Sequence, residues 1–563
     1  MIVLSLVTGC AAPARPGGKL NDDEGLLVFQ VINNSDQKNV YRNTTITSHV
    51  EMWSFDKNEL FTLHMVRVGM SSTDVYLGHM PPGKYRLDQF VTTDEFVVPG
   101  YSRSMNKTVL PIGKNFSHAF EIKPKHLTNL GTVVVWPRDN KHQSVSFTVG
   151  HIPSETLLNE LVTKIRPAAA QVVFTNPVLG WSNSLPLTHG IIAMAAKATP
   201  AHFNHPIVTR AGELVGGAKL GQVLVRSPNG NWNRLDTGFP WEILSVVETP
   251  SGELLVGGEQ GLLLVSQGKR SVWRRITDLH LKGPITSLGF RENTYYAVAF
   301  SPWLRHSLGF AYSKGLRLDN WQASTVSDLS VHEAGLLTRT TLFTSKKIRL
   351  AVPPLLVLDY DSKSQAWTKN QAMENSRLLG SNVRIFSPSR DPWLSINLHE
   401  REDGVLYGPG FSDLAWVDKE GRPEYLPQQI ILSKDSGATW ESRNTLPRKQ
   451  RMLDVWFRDT KVAYAITTSS GHSDSGFHLS SSTDEGNTWA EIGSLPIRAD
   501  RILGLNGDRV LVILNRHGEV YTSMNRGVTW AREWPIPESQ EHPSKSPQTA
   551  TNTKSPTHEN FVL

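Results

Sequence analysis

Ser482-Thr483-Asp484-Glu485-Gly486-Asn487-Thr488-Trp489 has two close copies in the chain, Ser433-Lys434-Asp435-Ser436-Gly437-Ala438-Thr439-Trp440 and Ser523-Met524-Asn525-Arg526-Gly527-Val528-Thr529-Trp530. All three fit S-x-[DN]-x-G-x-T-W, and the spacing has a physical logic. An Asp or Asn side-chain oxygen can bond backbone N–H groups two residues on, Gly accepts the left-handed conformation, and Thr-Trp restarts a strand. Asp435, Asp484 and Asn525 are therefore expected as turn caps, not as catalytic or metal-binding groups. Gly437, Gly486 and Gly527 take the left-handed position. Trp440, Trp489 and Trp530 fill the space between packed sheets, each burying on the order of 150–250 Å².

Four degenerate copies lie upstream and end in Trp232, Trp273, Trp321 and Trp367. The seven tryptophans are spaced by 41, 48, 46, 73, 49 and 41 residues, close to the length of a four-stranded unit except at one step. Within a copy the strands can be placed, for example Ile243 to Glu248, Leu254 to Gly258, Leu262 to Ser266 and a fourth beginning near Trp273. Such a sheet exposes apolar surface on both faces and needs neighbours, and a closed ring leaves no end. The pattern predicts a seven-bladed β-propeller over residues 207–534. Six or eight blades are the alternatives, because the 73-residue step has room for a degenerate extra blade.

The motif resembles the Asp-box, or BNR repeat, of sialidases, sortilin-type receptors and photosystem assembly factors of the Ycf48 kind. The resemblance implies two functional classes. One is a binding or assembly module that holds a protein or glycan partner on its loops. The other is a sialidase-like glycoside hydrolase, with three arginines gripping a carboxylate, a Tyr activated by a Glu and an Asp acid/base in the mouth of the ring. The hydrolase family carries an R-I-P signature in its first blade, and here the near match Ile165-Arg166-Pro167 precedes every blade. The binding module is the preferred reading.

In a propeller the turns between strands 3 and 4 share one face with those between strands 1 and 2, and the 2–3 and 4–1 connections share the other. Ser301 to Leu308, Ser345 to Pro353, Pro409 to Gln428 and Ser469 to Ser475 are assigned to 2–3 connections. They bring Trp303, Arg305, His306, Lys346, Arg349, Asp413, Trp416, Glu424, Tyr425, His472 and Asp474 to the face away from the Asp-boxes, a mixture suited to a polar ligand or a protein surface. Metalloprotease, Walker and nucleophile-elbow signatures do not occur. His189, His202 and His205 lack carboxylate or thiolate partners at ligand spacing, so no metal or other cofactor is expected.

Ahead of the repeats, apolar and β-branched runs alternate with turn signals from Gly25 to Gly150: Leu26 to Ile32, Val50 to Phe55, Leu60 to Val68, Val75 to Leu77, Tyr85 to Phe90, Phe120 to Ile122, Thr132 to Trp136 and Ser144 to Val149. Short strands at this spacing predict a β-sandwich. Met80-Pro81-Pro82-Gly83-Lys84-Tyr85 resembles an edge turn of transthyretin-like and immunoglobulin-like accessory domains. Residues 151–206 form a connector, with an amphipathic helix between Pro153 and Pro167 carrying Leu157, Leu158, Leu161, Val162 and Ile165 on one face. The tail from 535 to 563 is rich in Pro, Ser, Thr, Lys and Glu and is expected to be disordered.

Met1 to Val7 is apolar apart from Ser5 and runs into Val7-Thr8-Gly9-Cys10, then a Pro/Gly/Ala tether over residues 10–24. The tetrad resembles the bacterial lipobox, although no Lys or Arg precedes the short apolar run. The resemblance implies a signal peptide over residues 1–9, a lipidated Cys10 and an anchor in the cell envelope, at the outer membrane facing the periplasm; two or more acyl chains hold stably where one does not. Cys10 is the only cysteine among 563 residues, so neither an intramolecular disulfide nor a Cys-based zinc site can form. Fifty-eight basic against 52 acidic side chains give a net charge of +6, and with no Lys/Arg stripe to follow a phosphate backbone, nucleic acid is not expected as a partner.

Overall fold

A computed structural model describes residues 19–33, 44–66, 73–96, 104–111, 119–137, 145–150, 162–163, 166–180, 203–239, 241–268, 270–277, 279, 281, 283–301, 307–315, 318–326, 341–343, 348–352, 356–361, 364, 366–369, 399–409, 415–417, 423–425, 429–435, 441–444, 450–469, 476–515 and 519–534. The first nine strands are β1 (Gly25–Asn33), β2 (Thr44–Ser54), β3 (Glu59–Val66), β4 (Thr73–Met80), β5 (Gly83–Phe96), β6 (Ser104–Pro111), β7 (Phe120–Ile122), β8 (Leu127–Pro137) and β9 (Val145–Gly150). They make one sheet in the order β6-β5-β2-β3-β4-β1-β8-β9, with β7 on β5 and with β1 parallel to β8.

Alternation along β1 sorts its side chains to two faces. Leu27, Phe29 and Val31 join Val50, Met52, Phe61, Tyr76, Tyr85, Phe90 and Phe120 in one buried cluster, with Phe29 stacked on Tyr76 at 5.0 Å between ring centres. That cluster draws on strands from both halves of the sheet, which among the described residues are joined by the pairs Met65–Tyr76 and Val66–Val75 between β3 and β4. Leu26 and Val28 face the other way and pack on α1 (Pro167–Val173) through Ala169, Ala170 and Val173.

Two features differ from the sequence reading. Strand β6, whose apolar pair Val109-Leu110 follows a mainly polar start, was not among the predicted runs and pairs along its full length with β5. Helix α1 begins at Pro167, where the predicted helix ends. Proline at the first helical position loses no hydrogen bond, and three alanines follow it. Of the predicted helix, only Val162 and Thr163 are described as helical, and residues 151–161 lie outside the described residues.

The remaining strands form seven four-stranded antiparallel sheets among the described residues, and in six of them the strands follow in chain order. The first sheet is β10 (Asn204–Val208), β11 (Leu214–Gly217), β12 (Gln222–Arg226) and β13 (Trp232–Asp236), and the second β14 (Ile243–Glu248), β15 (Leu254–Gly258), β16 (Leu263–Gln267) and β17 (Val272–Arg275). The third is β18 (Ile285–Arg291), β19 (Thr294–Ser301), β20 (Ser307–Lys314) and β21 (Gln322–Val326), and the fourth β22 (Thr341–Phe343), β23 (Ile348–Val352), β24 (Leu356–Asp361) and β25 (Ala366–Lys369).

The fifth sheet is interrupted. Its order is β26 (His399–Glu400), β27 (Leu406–Pro409), β30 (Gln429–Ser433) and β31 (Glu441–Asn444), and a separate hairpin of β28 (Ala415–Val417) and β29 (Pro423–Tyr425) lies between its second and third strands. The sixth is β32 (Gln450–Phe457), β33 (Ala463–Ser469), β34 (Phe477–Ser482) and β35 (Ala490–Ser494). The seventh is β36 (Arg501–Leu505), β37 (Val510–Leu514), β38 (Val520–Ser523) and β39 (Ala531–Trp534). Each of the seven marker tryptophans stands in a fourth strand or immediately before one.

Successive sheets bury their faces against one another, as in the cluster of Val215, Val223, Trp241, Ile243, Val256 and Leu264 between the first and second. The seventh sheet returns to the first. Leu503, Leu505, Val512, Val520 and Trp534 share a core with Phe203, Leu214, Leu224 and Trp232, and the Trp232 and Trp534 rings lie 5.1 Å apart. Arg226 of β12, almost fully buried, meets Glu533 of β39 through Nε and through Nη2 at 2.8 Å; Thr522 Oγ1 donates to the same carboxylate at 2.7 Å and Trp232 Nε1 at 3.3 Å.

Candidate functional site

The Asp-box turns are structural. In the sixth sheet, Asp484 Oδ1 accepts from the Thr488 N–H at 2.8 Å and Oδ2 from the Thr488 hydroxyl at 2.6 Å. The carboxylate thus spans the turn to the fourth residue on, where two residues on was expected. It is the first motif residue, Ser482, that holds the glycine: its Oγ accepts the Gly486 N–H at 2.9 Å and donates to Asp484 Oδ1 at 2.8 Å. These bonds to Thr488 and Ser482 keep the Asp484 carboxyl down near 2.

Asn525 reproduces the arrangement in the seventh sheet, accepting from Thr529 N–H at 2.8 Å while Ser523 Oγ accepts from Gly527 N–H at 2.7 Å. Asp435 accepts from Ser433 Oγ at 2.8 Å; Gly437 and Trp440 lie outside the described residues. Gly486 and Gly527 have φ of +80° and +90°, and a Cβ on Gly527 would lie 2.0 Å from Leu479 of the preceding sheet. The turn is thus pressed against its neighbour, and its tryptophan follows it: Trp489 packs on the core shared by the fifth and sixth sheets and Trp530 on that of the sixth and seventh.

Most of the predicted binding face cannot be placed. Trp303, Arg305, His306, Lys346, Asp413, His472 and Asp474 lie outside the described residues. Trp416, Glu424 and Tyr425 fall on the β28–β29 hairpin, with Trp416 opposite Glu424 and Ala415 opposite Tyr425, in the expected connection between second and third strands. Arg349 corrects the reading. It sits within β23, the second strand of the fourth sheet, paired with Leu342 and Asp359, so Ile348–Val352 is strand and not part of a 2–3 loop. The β-branched and apolar residues Ile348, Leu350 and Val352 made it a strand.

A polar cluster that sequence reasoning did not assemble lies on the first strands. Asp454 of β32 is completely buried; its Oδ1 is 2.9 Å from His399 Nε2 of β26 and its Oδ2 accepts the Ile502 N–H of β36 at 2.9 Å. It therefore ties the fifth, sixth and seventh sheets together. Tyr407 stacks its ring on His399 at 5.3 Å, and its hydroxyl accepts the Phe457 N–H at 3.1 Å. Burial drives the Tyr407 phenol above its ordinary range, so it is held neutral.

Arg501 stands at the start of β36, next to Ile502, within electrostatic reach of Asp454 and Tyr407; burial lowers its pKa. Its Nε is closed off from solvent without a hydrogen-bond partner. In the first sheet, His205 of β10 lies in the left-handed region at φ +39° where the β10–β11 register shifts, within electrostatic reach of Arg501. Desolvation by neighbouring protein, with the Arg501 charge, pulls the His205 ring down to about 4, although part of the residue remains exposed. His205 thus adds a histidine to this cluster. The signal was absent from the sequence because its members are up to about 300 residues apart.

His205, His399 and Arg501 all sit at or next to the beginning of a first strand. In an antiparallel sheet that end lies beside the 2–3 connection, as the pairing of Arg501 with Leu514 and of His399 with Tyr407 shows. The cluster therefore opens toward the face that carries the β28–β29 hairpin, away from the Asp-box turns.

No protein-family model matches the chain, and no curated protein does. Solved structures do match in part. A Ycf48 bound to a D1 peptide covers 58% of this chain and 92% of its own, at 16% identity and a TM-score of 0.39. Ycf48 from Cyanidioschyzon merolae covers 56% and 92% at 14% identity and a TM-score of 0.36. A xyloglucanase from Xanthomonas campestris covers 59% of this chain and 54% of its own at 12% identity and a TM-score of 0.38. The protein is all-β, built largely of four-stranded antiparallel sheets of the propeller kind.

Proposed function

We propose that the protein is a lipid-anchored envelope protein whose seven sheets are the blades of one closed propeller, and that it binds a protein or glycan partner on the face opposite the Asp-boxes without catalysis. The observation that carries this reading is the coincidence at one end of the ring of the inserted β28–β29 hairpin and the polar cluster of His205, His399, Asp454 and Arg501. Insertions on a rigid closed scaffold are where binding residues collect. Lipidation of Cys10, taken from the V-T-G-C tetrad, would hold this scaffold at the membrane surface.

The hydrolase reading asks for an activated tyrosine. Tyr407, the tyrosine of the cluster, has its phenol pushed up by burial and its oxygen committed to a backbone donor, the reverse of activation. The peptide seen on the Ycf48 propeller is the precedent for a protein partner.

The test is site-specific crosslinking in envelope membranes. A photo-reactive residue in place of Trp416 is expected to give a discrete adduct, whereas the same residue in place of Asn487, on the Asp-box face, gives none. Adducts from Asn487 alone would refute the assignment of the face. Cys10→Ser is expected to lose palmitate labelling and to leave the membrane fraction.

A further inference from the structure

Between the first and second sheets, on the Asp-box side, lies a cavity of about 400 Å³, within the size range of ligand pockets. Its floor is apolar, formed by Val225 of β12 and Leu235 of β13, and Asn233, opposite Val225 in the β12–β13 pairing, stands on the same wall. The facing wall comes from turns of the second sheet, with Glu253 at the end of the β14–β15 turn and Arg270 in the β16–β17 turn. Glu213 ends the β10–β11 turn, and its Oε2 accepts from Arg270 Nη1 at 2.7 Å across the gap. The Gly252 carbonyl accepts from Nη2 at 3.2 Å, so both terminal nitrogens of this guanidinium are committed. A Cβ on Gly252 would meet no atom within 4 Å, which marks the open space beside it.

Two carboxylates thus share the cavity with one guanidinium, and negative charge is in excess. Glu213 Oε1 and Glu253 Oε1 accept no hydrogen bond among the described residues. Glu253, whose Oε2 takes the Ser251 hydroxyl at 3.1 Å, forms no ion pair there. One open oxygen on each of two acids suits an ammonium with three rotatable donors, whereas a guanidinium fork asks for both oxygens of one carboxylate. Val225 and Leu235 suit the aliphatic stem behind such a head. Of the six large apolar side chains exposed among the described residues, Val208, Val272, Met524 and Val528 lie in or beside the 1–2 and 3–4 turns of the seventh, first and second sheets. Their concentration on one rim of three successive sheets marks a protein interface.

We propose that this cavity takes the side-chain ammonium of a lysine presented by a protein partner that docks on the Asp-box rim of the seventh, first and second sheets. The site lies on the other face from the hairpin surface proposed above and does not rest on that reading. Asn487 belongs to the sixth sheet, outside this stretch of rim.

The test titrates the full chain with Nα-acetyl-lysine N-methylamide and follows the methyl resonances of Val225 and Leu235 by NMR. The norleucine analogue supplies the stem without the charge, and cadaverine is the free diamine. The lysine amide is expected to bind saturably at millimolar concentration and to shift both methyl sets, with the norleucine amide silent and cadaverine weaker. Glu253→Gln should weaken binding about 10-fold while the thermal midpoint holds, since no cation is stranded. Asn233→Trp, which fills the cavity from an exposed strand position, should abolish the shifts.

Equal binding by Glu253→Gln or by the norleucine amide, or no saturable shift at Val225 and Leu235, overturns the ammonium site. Tighter binding of cadaverine than of the lysine amide overturns the protein source and gives the cavity to a free diamine. Either failure leaves the crosslinking result at Trp416 untouched, so the two proposals fail separately.

Discussion

The contact between the seventh and first sheets carries a buried ion pair beside its apolar core, and removing the acid should loosen these two sheets before the others. Arg226 is 4% exposed and Glu533 18%, and the Glu533 carboxylate accepts from Arg226 twice, from Thr522 and from Trp232. Breaking a buried pair by removing one partner costs about 3–5 kcal/mol, because it strands the other charge. The partial exposure of Glu533 places Glu533→Ala near the lower end, about 3 kcal/mol. Arg226→Met should cost less, about 1–2 kcal/mol, since the exposed carboxylate keeps two neutral donors and some water.

The double variant should then recover about 2 kcal/mol of the summed loss as coupling. Native-state hydrogen exchange is the assay, since the chain has more than one core and a single unfolding free energy is not defined for it. Amides of β10–β13 and β36–β39 should exchange about 100-fold faster in Glu533→Ala, the equivalent of about 3 kcal/mol, while those of β18–β21 hold. A uniform rise in all seven sheets, or strictly additive single effects, would show that the pair does not hold the seventh sheet to the first.

Other outcomes follow from the turns. Gly527→Ala introduces a Cβ at φ +90° and against Leu479, and should cost about 2–3 kcal/mol, read as a lower thermal midpoint. Asp484 is held near 2 in the fold and near its usual value when unfolded, so its contribution is present above about pH 4 and is lost as pH falls toward 2. Asp484→Asn, which copies Asn525, should keep the turn and abolish that pH dependence; exchange of the Thr488 amide reads both. Asp454→Ala should destabilise the ring by several kcal/mol by freeing His399 and the Ile502 N–H at once, detectable as faster exchange at Ile502.

The sheets were legible in the sequence because each is made from contiguous residues, and its closing turn has a side-chain mechanism written in eight positions. Trp232 through Trp530 therefore located every fourth strand. Two kinds of feature were not legible. Strand β6 forms through its partner, and Arg349 became a strand residue through alternation too short to recognise from three apolar positions. The cluster of His205, His399, Asp454 and Arg501 draws on the first strands of four sheets far apart in the sequence, and no local spacing encodes it. Even the Asp-box was read incompletely, since the serine at its first position, and not the aspartate, takes the glycine amide.

Among the described residues each of the seven four-stranded sheets draws its strands from one continuous span of chain, and the seventh meets the first through side chains. The surface formed by Phe203, Leu214, Leu224 and Trp232 is made early in synthesis and stays uncovered until residues 501–534 have been made. A nascent chain carries that apolar face through the production of five further sheets, a delay of tens of seconds at ~5–20 residues per second. Premature release, or arrest before Trp534, leaves the same face open to other chains, and this interval is where the protein most depends on holding factors.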